Sequence, residues 1–127
     1  MPPSEDARLL LRIVERHLRS LNFGVDDQFP AEDWGFTAQQ AVEKLLNCRK
    51  VLSDGEPPRS HELDLLASQA NLELASLLLD LQPFAVEARC QDGDFELPAS
   101  RARILAEIQL LADQLRQAIE AGLSTSP

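Results

Sequence analysis

Gln40, Glu43, Lys44 and Asn47 recur at three- and four-residue steps, which sets an amide, an acid, a base and a second amide along one side of a helix. A strip of that kind, carried on an otherwise apolar helix, must be met by neighbours or by a ligand, because buried polar groups need partners. Arg59-Ser60-His61 follows the stiff Pro57-Pro58 pair and opens the next helix. A helix start offers free N–H groups and a positive dipole end to an anion. Arg59 adds a bidentate donor, Ser60 a hydroxyl, and His61 an imidazole that can act as acid or base. Read together, these groups form a candidate anion site. Lys44 and Arg59 would hold phosphate oxygens, Gln40 would bond a base or ribose, and His61 would sit over the anion. The plainer readings are a half-buried polar face on the helix and a serine cap with His61 and Glu62 in its first turn. Trp34 is open to two readings, a stacking platform for a base or part of the core.

The elements that must position these groups read as helices. From residue 5 to about 21, Leu9, Leu10, Ile13, Val14, Leu18 and Leu21 keep helical spacing, while Arg12, Glu15, Arg16 and Arg19 take the wet side. Ser4 is the expected N-cap and Gly24 the expected left-handed cap at the far end. In the loop that follows, Phe29 is expected to tuck under the bundle. Pro30 opens a second helix with the stripe Trp34, Ala38, Ala41, Leu45, Cys48 and Leu52, widened by Phe36, Val42, Leu46 and Val51. That width predicts the most buried helix of the chain. Asp54-Gly55 ends it, and Glu56-Pro57-Pro58 cannot be helical. Ser60 is expected to cap a short helix from His61 to about Gln69. Asn71 is expected to cap a fourth from Leu72, kinked at Pro83, and Gln91-Asp92-Gly93-Asp94 is a turn. The last helix is predicted over Pro98 to Gly122, with a frayed tail from Leu123. The sum is an all-α, up-and-down bundle of four main helices plus a short one, in a single domain with its core over residues 5–120.

Composition narrows the partners. Twenty-one acids against 12 bases give a net charge of −9 over 127 residues. Nucleic acid is held through Lys and Arg contacts to phosphate, so this field disfavours RNA and points to a protein partner. Cys48 and Cys90 lack pairable spacing, and the two histidines, His17 and His61, do not join them in a zinc pattern. Neither a metal nor a cofactor is expected. Met-Pro-Pro-Ser-Glu-Asp is acidic without an apolar core, and no apolar run approaches the roughly 20 residues of a membrane span. A reducing cytoplasm with free thiols is the expected setting.

Ala38-Gln39-Gln40-Ala41-Val42-Glu43-Lys44, followed about fifteen residues later by Pro58-Arg59-Ser60-His61-Glu62-Leu63, resembles the shared core of the HEPN family (higher-eukaryote and prokaryote nucleotide-binding domains). Ala85-Val86-Glu87-Ala88-Arg89 before a turn and a closing helix extends the likeness over most of residues 5–120. The resemblance implies a four- or five-helix bundle, usually a homodimer. For prokaryotic members it often implies a minimal nucleotidyltransferase as companion in a toxin–antitoxin-like pair.

Catalytic members of that family are metal-independent ribonucleases with an Arg and a His a few residues apart near the last long helix. Here Arg89 stands at about that place, but Cys90-Gln91-Asp92-Gly93-Asp94-Phe95 follows, without a histidine. Arg12 and His17 satisfy the spacing, yet they lie about 140° apart around the first helix, a coincidence of sequence. The nuclease motif is not intact, so the resemblance implies a helical dimer that binds a nucleotide or a partner protein, with Gln40, Lys44, Arg59, His61 and Arg89 as ligand-binding candidates. Two alternatives stand beside it. One is a ribonuclease using His61, the one catalytic candidate, with Arg59 or Arg89 across a dimer. The other is a structural dimerisation module without a ligand.

Overall fold

The structure is a computed structural model that describes residues 3–26, 28–54, 60–85 and 96–125. Every regular element among them is helical. Three long helices dominate: α1 (Pro3–Phe23), α2 (Ala31–Asp54) and α5 (Arg101–Thr125). Between the last two lie α3 (Leu63–Gln69), the single turn α4 (Ser76–Leu79) and a 3₁₀ turn over Gln82–Ala85. The all-α bundle expected from the sequence is the architecture observed. Among the described residues, the expected fourth main helix is a short α-helical turn followed by the 3₁₀ turn, with Pro83 inside the latter; its expected continuation past Ala85 lies outside the described residues. Proline lacks the N–H that a continued α-helix would need there.

Antiparallel pairing of α1 and α2 is fixed by contacts at both ends. The Trp34 indole N–H, at the start of α2, donates to the Leu21 carbonyl near the end of α1 at 3.0 Å. Near the other end, the Cys48 thiol donates to the Ala7 carbonyl at 3.5 Å. α5 also runs against α1, and therefore along α2. Its first residue, Arg101, donates to the carbonyls of Gly24 and Asp26 at 2.8 Å each, and its Arg116 reaches Glu15 at 3.7 Å.

As its wide apolar stripe predicts, α2 is the central element: Trp34, Ala38, Ala41, Val42, Leu45, Leu46, Cys48 and Val51 are all buried. On α5, Ile104, Leu105, Ile108, Leu111, Ala112, Leu115 and Ile119 close the core. On α1 the seam departs from the sequence expectation. Ala7, Leu11, Val14 and Leu21 face inward, while Leu9 is 45% exposed and Ile13 only half-buried. The apolar stripe of α1 is wider than the groove it fills.

Helix ends differ in instructive ways. α1 begins at Pro3, which puts Ser4 inside its first turn rather than before it. Gly24 does not adopt a left-handed backbone; its N–H donates to Ser20 O, and a Cβ there would lie 2.8 Å from Trp34. It is glycine because the indole and Phe29 pack on it. Phe29 covers Gly24 and still shows 42% of its surface. Asn71 has φ of 54° and closes α3 rather than opening α4: Leu72 N–H donates to Ala67 O and Asn71 N–H to Ser68 O, a Schellman arrangement. The last helix starts at Arg101, not Pro98, with Ser100 Oγ accepting from Arg103 N–H at 3.2 Å as its cap. It stays helical to Thr125, past the expected end at Gly122.

Candidate functional site

The polar edge of α2 is half-buried, and its side chains are linked. Lys44 Nζ donates to Gln40 Oε1 at 3.1 Å, and Gln40 Nε2 donates to Gln39 Oε1 at 2.8 Å. Gln39 is fully buried, and its Nε2 has no hydrogen-bond partner; the buried Asn47 Oδ1 has none either. Lys44 is half-buried and has no carboxylate within ion-pair distance among the described residues. Its charge is therefore supported by one amide oxygen. Buried amide ends left without partners are uncommon, since each costs about 1–3 kcal/mol when desolvated and unpaired.

Glu43, on the same edge, stands apart from that hydrogen-bonded chain. Its side chain is 5% exposed, and Oε1 meets His61 Nδ1 at 2.5 Å across 18 residues of sequence. A carboxylate can only accept, so in this pairing the ring hydrogen sits on Nδ1. The imidazole is otherwise 84% exposed, which leaves the Nε2 edge to solvent. A carboxylate that fixes the tautomer and aim of an imidazole is the arrangement that makes histidine an oriented acid or base.

His61 is held from behind by a residue the sequence reading did not single out. Gln82 Nε2 donates to the His61 carbonyl at 3.1 Å, and Gln82 Oε1 accepts from Leu63 N–H at 2.6 Å. That second bond satisfies a free N–H at the start of α3. The helix accordingly begins at Leu63, two residues beyond the expected His61, and Ser60 does not cap it. The Ser60 hydroxyl instead accepts from Glu62 N–H at 3.1 Å in a local turn. The 3₁₀ turn carrying Gln82 is anchored by Phe84, which is buried against Gly35 of α2.

The expected site residues divide as follows. Gln40 and Lys44 are bonded to each other, and His61 reaches the same helix through Glu43. Arg59 and Arg89 lie outside the described residues, as do Cys90 and the Gln91–Asp94 turn. Trp34 is core, 1% exposed with the Arg101 guanidinium 5.8 Å from its ring centre, and cannot stack on a ligand base. His17 joins the environment of α2 from α1. Burial first, then the charges of Lys44 and Arg16, lower its pKa below 6.5, and its Nε2 is buried without a partner. Arg12 lies on the exposed face of α1, so the Arg12/His17 spacing does not form a pair. The Cys48 thiol is buried in the core, and burial raises its pKa to about 11, away from nucleophilic use.

Among the described residues, no three of His, Cys, Asp and Glu gather as a metal site, and no helix is long and apolar enough to cross a membrane. Gln39 and Gln82 were the residues missed. Gln39 carries only a faint signal, an amide between Ala38 and the Ala41-Val42 pair on a helix that is apolar nearly all round. No family model, no curated protein and no solved structure matches the chain.

Proposed function

We propose that this chain is a non-catalytic binding module that takes a phosphate-bearing ligand, a nucleotide in the first instance, at the polar edge of α2. The observation that carries the reading is Lys44: a half-buried ammonium, propped by Gln40, with no carboxylate to neutralise it among the described residues. An anion that reaches it gains a charge-assisted bond in surroundings drier than bulk water. The unpartnered Gln39 Nε2 and Asn47 Oδ1 belong to the same edge but are buried beneath it, so the ligand is met by Lys44 and Gln40. Arg59 is the second cation that the sequence offers to this ligand. The resemblance to HEPN proteins adds a homodimer and a minimal nucleotidyltransferase companion; this part of the proposal rests on the sequence motifs alone.

Calorimetric titration with ATP, GTP and a short RNA tests the ligand. Saturable nucleotide binding that falls at least about tenfold in Lys44→Ala, a loss of some 1.4 kcal/mol, is the expected result. Nucleotide binding unchanged in Lys44→Ala would remove the proposal's basis. Sedimentation tests the dimer, which requires a mass near twice the 14.1 kDa of the chain.

A second reading is favoured by one specific contact. The Glu43–His61 pair presents an oriented imidazole to solvent, as a metal-independent ribonuclease would need for acid–base work at a ribose 2′-OH. RNA cleavage without added metal, abolished by His61→Ala and slowed by Glu43→Gln, would establish it. Intact RNA at high protein concentration would exclude it.

A further inference from the structure

The outer face of α1 has a character opposite to that of the chain. Arg8, Arg12, Arg16 and Arg19 are all exposed and fall within about 80° of arc over about 16 Å of helix. The same face carries two acids, Glu5 one turn before Arg8 and Glu15 at its edge, in a chain with a net charge of −9. Glu15 is engaged by Arg116, at 3.7 Å, whereas none of the four α1 arginines has an ion-pair partner among the described residues. Leu9 and Ile13, two of the three apolar residues of α1 that the core leaves out (Phe23 at the helix end is the third), border the arginine row. With Arg12, Arg16, Arg19 and Glu15, whose carboxylate is the one held by Arg116, they line a shallow groove of about 420 Å³. Unpaired guanidinium groups beside uncovered aliphatic side chains form a mixed surface, and its occupant must answer both halves.

We infer that this face of α1 docks an acidic amphipathic helical segment of a partner protein. Carboxylates spaced one turn apart would meet arginines spaced four, four and three residues apart, and an apolar residue between them would cover Leu9 and Ile13. A second copy of the chain docked α1 to α1 would bring two arginine rows face to face, which like-charge repulsion opposes. A nucleic-acid strand would engage the guanidinium groups but leave Leu9 and Ile13 with nothing apolar to cover them, and the net charge of the chain would repel its length. The surface is distinct from the Lys44 edge, so this inference stands apart from the function proposed above.

The test is fluorescence anisotropy with a designed 18-residue helical peptide carrying Glu at turn spacing and Leu between. A matched peptide with Gln for Glu and a single-stranded 20-nucleotide RNA serve as comparisons. Saturable binding of the acidic peptide is expected, weakened about tenfold between 50 and 300 mM salt. It should fall at least about tenfold in Arg12→Glu/Arg16→Glu and about threefold in Leu9→Ser. Circular dichroism checks the fold of each variant, and Arg8→Gln/Arg19→Gln serves if the charge reversal does not fold. The inference is overturned if the acidic peptide does not bind at millimolar concentration, if the Gln peptide binds equally well, or if RNA binds more tightly and is lost in the same arginine variants.

Discussion

Gly35 lies in the first turns of α2, where replacement by alanine would ordinarily favour the helix by about 1 kcal/mol. In this protein the sign should reverse. A Cβ on Gly35 would overlap the ring of Phe84, with Cγ and Cε1 both at 2.7 Å and Cδ1 closer still. Phe84 is 2% exposed and cannot give way without disturbing the 3₁₀ turn it anchors. Overpacking of this severity sits at the upper end of its usual range, about 3 kcal/mol. Set against the helical gain, Gly35→Ala should therefore destabilise by about 2 kcal/mol. For a chain of this size that lowers Tm by roughly 6–10 °C. The consequence reaches the candidate site, because the same turn carries Gln82, which holds His61 O and Leu63 N–H. The assay is thermal and urea unfolding of a double-mutant cycle with Phe84→Ala. In the Phe84→Ala background the obstruction is gone, so Gly35→Ala should stabilise by about 1 kcal/mol, a coupling near 3 kcal/mol. Equal effects of Gly35→Ala in the two backgrounds, or a more stable single variant, would refute the reasoning.

Three further outcomes follow from the described contacts. Burial, Lys44 and Arg16 lower the pKa of His17, so the unfolded chain takes up that proton first as pH falls. The contribution of His17 is then complete above pH 6.5 and is lost as pH falls through its depressed pKa. His17→Gln should flatten the acid limb of stability measured by urea midpoints between pH 7.5 and 5. For Cys48 the shift is opposite: burial raises the thiol to about 11 from 9.0, so its contribution is complete below pH 9 and is lost as pH climbs through about 11. Native protein at pH 8 should leave this thiol unmodified by a thiol reagent that labels the urea-unfolded chain, and Cys48→Ala should remove its share of the alkaline loss. Arg101 ties the start of α5 to the α1–α2 loop through two carbonyl bonds and lies over Trp34. Arg101→Met keeps the aliphatic stem and should cost about 1.5–3 kcal/mol in urea unfolding, the range for bonds to a charged donor.

Much of this fold could be read from the chain alone. The three long helices, the central burial of α2 and the alignment of Gln40, Glu43 and Lys44 on one edge all follow from periodicity. That signal is local: 3.6 residues per turn decides which side chains share a face before any neighbour is present. What periodicity leaves open is how much of an apolar face the neighbours cover. Leu9 and Ile13 fit the stripe of α1 as well as Leu11 does, and only the positions of α2 and α5 turn Ala7, Leu11 and Val14 inward and leave the other two on the arginine face. Asn71 favours a helix start and a left-handed helix end alike, and the carbonyls of Ala67 and Ser68, which accept from Leu72 and Asn71 N–H, make it the end of α3. The candidate site is divided in the same way. The residue types of the Lys44 edge are visible in sequence, whereas the Glu43–His61 contact spans 18 residues and depends on Phe84 seating against Gly35 so that Gln82 can hold His61 from behind. Contacts of that kind exist only once separate segments have packed, because their geometry is set by the shape of the core and not by the order of the residues that make them.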